Sequence, residues 1–272
     1  MSTSGSNAGN GPLYIGVSTK MYLGYQASLR WLSEVRSIVD DRPGLGTHST
    51  AESPVRVFVI PSFPVLEPAS RILAGSPVLL GAQNCAWGDG PLTGEVSPAM
   101  LAELGVSLVE IGHAERRKLF GEDDAVVARK VRAAVEHSLT PLLCIGEPDR
   151  LDAGAAAAFC VGQVRAATDG DPALLNRVVL AYEPVWAIGA QEPAPPHHVN
   201  AVLARIREEL GPACPLIYGG SAGPGLLPRL PAADGLFLGR FAHDAANLGR
   251  VLDEALLLRQ TDAPANSSSS RS

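Results

Sequence analysis

The chain has 272 residues, is 46% hydrophobic and 18% charged, and carries a formal net charge of −6 at pH 7. Its length suits one large α/β domain, and its apolar content suffices to bury a core of that size. The acidic balance, without a basic cluster, argues against a nucleic-acid partner, and no apolar run reaches the roughly 20 residues that a membrane span needs.

The pattern of cysteines and the absence of cofactor motifs further narrow the classes of protein to which this chain can belong. The cysteines are scattered and form no CxxC pair, and no histidine stands at metal-site spacing, so we expect reduced thiols and no metal. No glycine-rich nucleotide-binding string opens a helix, and we therefore expect no cofactor. The polar N-terminus has no secretory pattern, which indicates a cytoplasmic protein.

Short apolar runs alternate with amphipathic stretches along the chain. The runs predict eight strands, at 13–18, 55–60, 77–82, 106–112, 141–146, 177–182, 215–220 and 235–239. Helical periodicity follows each of them, at 26–39, 64–74, 98–104, 123–137, 152–167, 197–210, 224–230 and 244–259. Residues 1–12 and 260–272 are rich in Ser, Asn and Gly and predict disordered tails.

Eight alternating strand–helix units predict a parallel sheet, and at this length they favour a closed (β/α)8 barrel, one domain over residues 13–259. Functional side chains of such a barrel lie at the C-terminal ends of the strands. The chemically interesting residues all follow predicted strands and so share one rim: Lys20, His113, Glu147, Glu183, Gly219–Ser221 and Gly239–Arg240.

The string AYEPVWAIG, residues 181–189, places a carboxylate at the end of a buried strand. Glu183 stands just before Pro184, and the proline stiffens the segment that follows. Gly189 allows close backbone approach. A carboxylate held in this way, beside a segment that closes as a lid, is what a positioned general base needs.

The string EIGHAERR, residues 110–117, begins within the fourth predicted strand and continues beyond its end. A helix that starts there aims its N–H groups at His113, which lowers the pKa of the imidazole and leaves a neutral hydrogen-bond donor for a substrate carbonyl. Glu115 either orients this site or bridges to Lys20. The two arginines, Arg116 and Arg117, are expected to form structural ion pairs, with Glu122 as one partner.

Two further segments predict an anionic substrate. Lys20, on a rim that also carries a base and a histidine, would neutralise substrate charge and stabilise a developing enediolate. Residues 218–225, YGGSAGPG, are expected to open a helix whose N–H groups bind an anion. Together with Gly239 and the lid residue Gly189 they predict a phosphate cradle.

Residues 83–98 form a long glycine-containing loop that is built to protrude.

The strings GAQN, LTGE, EIGHxERR, CIGE, AYEPVWAIG and YGGS stand in an order and spacing that resemble the triosephosphate isomerase family over residues 13–258. The resemblance implies Glu183 as base, His113 as electrophile and Lys20 as electrostatic clamp, an assignment for which that family is the standard example. It implies Gly189, Ser221 and Gly239 as phosphate ligands. It also implies a homodimer in which loop 83–98 reaches into the partner's site, with Thr93 and Glu95 at its tip.

Several positions depart from the family pattern. Ser18 stands where the family has Asn, the lid tip reads Ala190-Gln191-Glu192 instead of Thr-Gly-Lys, and Arg240 replaces a glycine. The pattern STKMY with GRF resembles a branch of the family that acts on erythrulose phosphates. The resemblance therefore implies conversion of L-erythrulose 1-phosphate to D-erythrulose 4-phosphate, with Ser18 giving room for an added hydroxymethyl group.

Other interpretations remain open at this stage. Arg240 serves the phosphate or the added hydroxyl, or points outward into an ion pair. The chain as a whole is alternatively an ordinary triosephosphate isomerase acting on dihydroxyacetone phosphate, a barrel lyase or synthase, or a non-catalytic barrel that binds sugar phosphates. The strings EIGH and EPVW disfavour the lyase, and the retention of Lys20, His113 and Glu183 disfavours the non-catalytic barrel.

Overall fold

The computed structural model describes residues 11–46, 53–189, 193–212 and 214–262. Eight parallel strands close into a barrel in which each strand pairs with the next and β8 pairs with β1. This confirms the predicted (β/α)8 barrel. The strands are β1 (Leu13–Ser18), β2 (Val55–Ile60), β3 (Leu79–Ala82), β4 (Leu108–Ile111), β5 (Thr140–Ile145), β6 (Val179–Tyr182), β7 (Leu216–Gly220) and β8 (Gly235–Leu238).

Helices surround the barrel and cover the outward faces of the strands. Side-chain caps begin several of them: Ser97, Asp123 and Asp152 each accept a backbone N–H from the first turn of the helix that follows. The α-helices of the described ranges are α1 (Tyr25–Asp40), α2 (Leu66–Leu73), α3 (Pro98–Glu103), α4 (Ala114–Phe120), α5 (Asp124–Glu136), α6 (Ala153–Thr168), α7 (Pro172–Leu175), α8 (Pro196–Leu210) and α9 (Ala245–Asp262).

The helix predicted over 224–230 is wrong, because the chain there forms only a short 3-10 turn at Leu227–Arg229. Pro224 and Pro228 lack the backbone N–H that an α-helix needs, and Gly225 adopts a left-handed φ of 81°. The short helices α4 and α7 were not predicted as separate elements. Helix α9 continues three residues beyond its predicted end, and residues 1–10 and 263–272 of the two expected tails lie outside the described residues.

The core has two apolar layers. The larger lies between the strands and the helices and includes Trp31, Leu32 and Val35 of α1. The smaller fills the barrel interior, where Gly16 makes room for the Phe58 ring, since a Cβ on Gly16 would come within 1.9 Å of it. Its members are Tyr14, Phe58, Ile60, Leu108, Leu142, Cys144, Val179, Ala181, Ile217 and Phe237.

Each of the four cysteines is a buried free thiol: Cys85, Cys144, Cys160 and Cys214. No helix within the described ranges combines the length and the apolar character that crossing a bilayer requires.

Candidate active site

A pocket of about 610 Å³ opens at the C-terminal ends of the strands. Segments that follow β1, β4, β6, β7 and β8 form its walls, because parallel strands bring their carboxyl ends to one rim. Every catalytic or substrate-binding residue predicted from the sequence lines it: Ser18, Lys20, His113, Glu115, Glu183, Gly189, Ser221, Gly239 and Arg240.

Glu183 lies at the end of β6 with only 5% of its surface exposed. Its backbone N–H donates to the Ile145 carbonyl at 2.8 Å, which fixes the main chain. Its side chain occupies a gap left by Gly219, where a Cβ would lie 2.5 Å from the Glu183 Cγ. Oε2 is 3.3 Å from Nε2 of His113. The carboxylate and the imidazole are thus in direct contact, and both line the pocket into which a substrate enters.

His113 caps helix α4 with its own side chain. Its Nδ1 accepts the backbone N–H of Glu115 at 3.1 Å, as the predicted helix start required. A nitrogen that accepts a hydrogen bond carries no proton, so the ring proton belongs on Nε2, the atom that faces Glu183. In this tautomer His113 is a neutral donor directed into the pocket.

Charge around His113 acts against that neutrality. Burial lowers the pKa of His113, but the carboxylates of Glu183 and Glu110 raise it, to about 9. The prediction that the helix start lowers the pKa of His113 took no account of these two carboxylates, of which Glu183 has the larger effect. A protonated ring would turn Nδ1–H toward the N–H of Glu115, and that donor is held in place by helix α4. We therefore assign the neutral Nε2–H tautomer, because the backbone contact leaves no room for a second ring proton.

Lys20 projects into the pocket from a strained backbone position, with a left-handed φ of 46°. Its carbonyl accepts hydrogen bonds from the side chains of Ser62 and Gln83, which hold the main chain in that conformation. Its Nζ lies 2.6 Å from Glu115 Oε1. Of the two roles expected for Glu115, the structure thus displays the bridge to Lys20. Burial lowers the pKa of Lys20, but its bond to Glu115 and the nearby Glu183 raise it, so the ammonium stays charged.

Glu110 is a pocket residue that the site prediction missed. It faces inward from β4, is 4% exposed, and accepts the Ser18 hydroxyl on Oε2 at 3.0 Å. Burial raises the pKa of this carboxyl. The signal was present in the sequence: Glu110 stands two residues after the inward-facing Leu108, and alternate residues of a strand share a face.

The segments after β7 and β8 bring Ser221, Gly223, Gly239 and Arg240 to the opposite wall of the pocket. No α-helix starts directly after β7, so loop backbone stands in place of the predicted helix start, and Gly220, the last residue of β7, has a φ of 132°. Glycines let main-chain N–H groups approach an anion closely.

Arg240 does not point away from the pocket. Its guanidinium lies 5.5 Å from the ring centre of Tyr22, and both residues line the cavity. In the described parts of the chain no acidic side chain forms an ion pair with it. A cation so placed can meet a phosphate or a hydroxyl.

The start of the predicted lid is tied to Glu147, which is fully buried. Glu147 accepts the indole N–H of Trp186 at 2.7 Å and the hydroxyl of Tyr182 at 3.2 Å. Gly189 has a left-handed φ of 73° and lines the pocket. The predicted lid tip, residues 190–192, lies outside the described residues.

The ion pairs expected for the arginines are confirmed. Arg116 Nε lies 2.6 Å from Glu122, and Arg117 pairs with Asp124 at the same distance. Both pairs brace the segment that carries His113, and neither arginine belongs to the site chemistry.

Loop 83–98 protrudes from the barrel between β3 and α3. A hydrogen bond from Ala86 N–H to the Val96 carbonyl closes its base. Thr93 and Glu95 are exposed at its tip and are not among the residues that line the pocket of this chain.

Known proteins resemble this chain over most of its length. The family model described as triosephosphate isomerase matches residues 13–255. An L-erythrulose-1-phosphate isomerase of Pectobacterium atrosepticum is 46% identical, over 90% of this chain and 96% of that protein. A triosephosphate isomerase of Roseiflexus sp. is 39% identical, over 86% and 96%. The crystal structure of triosephosphate isomerase from Bartonella henselae superposes with a TM-score of 0.73 at 29% identity, covering 89% of this chain and 98% of that one.

Proposed function

This chain belongs to the triosephosphate isomerase family and is a sugar-phosphate isomerase, and we propose that it converts L-erythrulose 1-phosphate to D-erythrulose 4-phosphate. The observation that carries the reaction type is the pairing of Glu183 Oε2 with His113 Nε2 at 3.3 Å, inside a pocket that also holds Lys20. A base, a neutral hydrogen-bond donor and a fixed cation are what moving a carbonyl through an enediolate requires.

In the proposed reaction the substrate carbonyl is on C2 and the reacting hydrogen on C3. Glu183 removes the C3 proton, and the electron pair of that bond forms the C2–C3 double bond of an enediolate. His113 gives its Nε2 proton to the oxygen on C2 and takes up the hydroxyl proton from the oxygen on C3, while the Lys20 ammonium stabilises the negative charge on these oxygens. Glu183 then returns a proton to C2 while the carbonyl forms at C3. The phosphate stays on its carbon, so the product is D-erythrulose 4-phosphate.

The phosphate is proposed to lie against Ser221, Gly239 and Gly189, with Arg240 as the nearby cation. These groups and Glu183 line the same pocket, so a ketose phosphate can lie with its phosphate in the cradle and its reacting carbon at the base. Arg240, stacked near Tyr22, adds donors that suit a phosphate oxygen.

The four-carbon substrate is supported by the 46% identical relative, which is named L-erythrulose-1-phosphate isomerase, and by the small Ser18 side chain at the pocket floor. The alternative is dihydroxyacetone phosphate, which the name of the Roseiflexus relative favours. Both substrates use the same enediolate chemistry. They differ by one CH2OH group on the reacting carbon.

Proton transfer is tested by incubating the enzyme with L-erythrulose 1-phosphate in D2O. We expect D-erythrulose 4-phosphate with deuterium on the carbon that receives the proton, detected by NMR. Glu183→Gln keeps the shape of the side chain but not its basicity, and is expected to slow turnover by roughly 100- to 10,000-fold. Turnover of Glu183→Gln within a few-fold of wild type would exclude Glu183 as the base.

We also propose that the enzyme is a homodimer assembled through loop 83–98. The loop is closed at its base and exposes Thr93 and Glu95 at its tip, which is suited to insertion into a neighbouring subunit. Sedimentation velocity across a dilution series is expected to report a dimer, with activity lost as the dimer dissociates. A fully active monomer would rule out this assembly.

A cytoplasmic location is proposed because all four cysteines are buried free thiols, which suits a reducing compartment.

A further inference from the structure

Glu110 is a buried carboxylate that the proposed reaction leaves unused. Its Oε2 accepts the Ser18 hydroxyl at 3.0 Å. Its Oε1 lies 3.9 Å from His113 Nε2, which is too long for a hydrogen bond. Among the described residues no other side chain donates to Oε1. Because Glu110 lines the pocket, its unsatisfied acceptor is available to a ligand.

A carboxylate that is only 4% exposed and receives few hydrogen bonds is costly to the fold. Lys20 acts on Glu110 through its charge alone, because its ammonium is bonded to Glu115 at 2.6 Å and donates no hydrogen bond to Glu110. A buried acceptor that lines a cavity and lacks a protein donor is explained when the ligand supplies the donor. The sugar hydroxyl group is a donor of the right kind.

We propose that Glu110 and Ser18 form a subsite for the terminal hydroxyl of a four-carbon ketose phosphate. This inference rests on the proposed function, since it names what distinguishes the four-carbon substrate within that site. The phosphate is already assigned to Ser221 and its neighbours. The two reacting oxygens are assigned to His113 and Lys20. The CH2OH group beyond the reacting carbon is the part of the substrate that remains, and Glu110 lies next to His113.

The same arrangement disfavours a three-carbon substrate. Dihydroxyacetone phosphate has no CH2OH group beyond its reacting carbon, so it offers Oε1 of Glu110 no hydrogen-bond donor when it binds. A site built to hydrogen-bond a hydroxyl discriminates strongly against a ligand that lacks it, because its buried polar group is left without a partner. Glu110 is therefore a specificity-determining residue. It favours binding of the four-carbon substrate and disfavours binding of the three-carbon substrate.

The test is the ratio of kcat/KM for L-erythrulose 1-phosphate to kcat/KM for dihydroxyacetone phosphate. Glu110→Met removes the acceptor at similar size, and we expect the ratio to fall by about 10- to 100-fold. Glu110→Gln keeps a neutral acceptor and should lower the ratio less. Ser18→Ala removes only the hydroxyl that orients Glu110, and should lower the ratio while perturbing the fold little. Thermal unfolding of each variant verifies that it is folded.

An equal loss of activity on both substrates would overturn the inference, because it would mean that Glu110 acts through His113 or through stability. An unchanged ratio in the folded variants would overturn it as well. Failure of the proposed function is distinguishable, since it appears in the wild-type enzyme as a preference for dihydroxyacetone phosphate. A wild-type preference for the four-carbon substrate, together with unchanged ratios in the variants, would refute the subsite alone.

Discussion

Replacing Gly219 with alanine is expected to displace the base without unfolding the barrel. A Cβ at this position would lie 2.5 Å from Cγ and 2.6 Å from Oε1 of Glu183, whereas ordinary contacts begin at 3.4 Å. Glu183 must therefore move by about 1 Å, and a misplacement of about 1 Å at a reacting group costs roughly 100-fold in rate. We expect kcat to fall by about that factor and KM to change little.

The assay is steady-state turnover of L-erythrulose 1-phosphate by Gly219→Ala, with thermal unfolding to verify the fold, since overpacking typically costs about 1–3 kcal/mol. Gly162→Ala is the matched control, because Gly162 lies in α6 outside the pocket and its Cβ would meet no atom within 4 Å. A folded Gly219→Ala enzyme with wild-type kcat would refute the reasoning, since the gap at Gly219 would then not govern the position of the base.

Two further predictions concern the groups that support the site. Trp186→Phe removes the 2.7 Å donor to the buried Glu147, and should lower the free energy of unfolding by about 1–3 kcal/mol in chemical denaturation; unchanged stability would show that the bond contributes nothing. Burial lowers the pKa of His243, so below its ordinary pKa of about 6.5 the unfolded chain binds a proton that the folded chain does not. Wild type should therefore lose more stability than His243→Gln between pH 7 and pH 5, and parallel losses would contradict this.

Much of the barrel could be predicted because its signals are local. Apolar runs between turn residues mark all eight strands to within a few residues, and their order alone placed Lys20, His113 and Glu183 on one rim. The segment after β7 could not be predicted in the same way. Its apolar residues at 226, 227 and 230 have helical spacing, but the prolines Pro224 and Pro228 decide the local structure, which is a 3-10 turn.

The parts of the site that escaped prediction depend on contacts between distant segments. Gly219 matters because the Glu183 side chain, from the neighbouring strand, occupies the space beside it. Glu147 binds Trp186, 39 residues away, at the start of the predicted lid, and no pattern near Glu147 indicates that bond. Glu110 differs, since its inward position follows from strand alternation. The sequence did not show that Ser18, 92 residues away, donates its hydroxyl to one oxygen of Glu110. That contact leaves the other carboxylate oxygen for a ligand.

The substrate of the wild-type enzyme is the central claim, and one comparison tests it directly. Initial rates are measured with L-erythrulose 1-phosphate and with dihydroxyacetone phosphate, using the same enzyme preparation at the same pH. They give a value of kcat/KM for each substrate. The account predicts a higher value for L-erythrulose 1-phosphate, with weak residual turnover of the three-carbon substrate. A value for dihydroxyacetone phosphate equal to or above that for L-erythrulose 1-phosphate would contradict it.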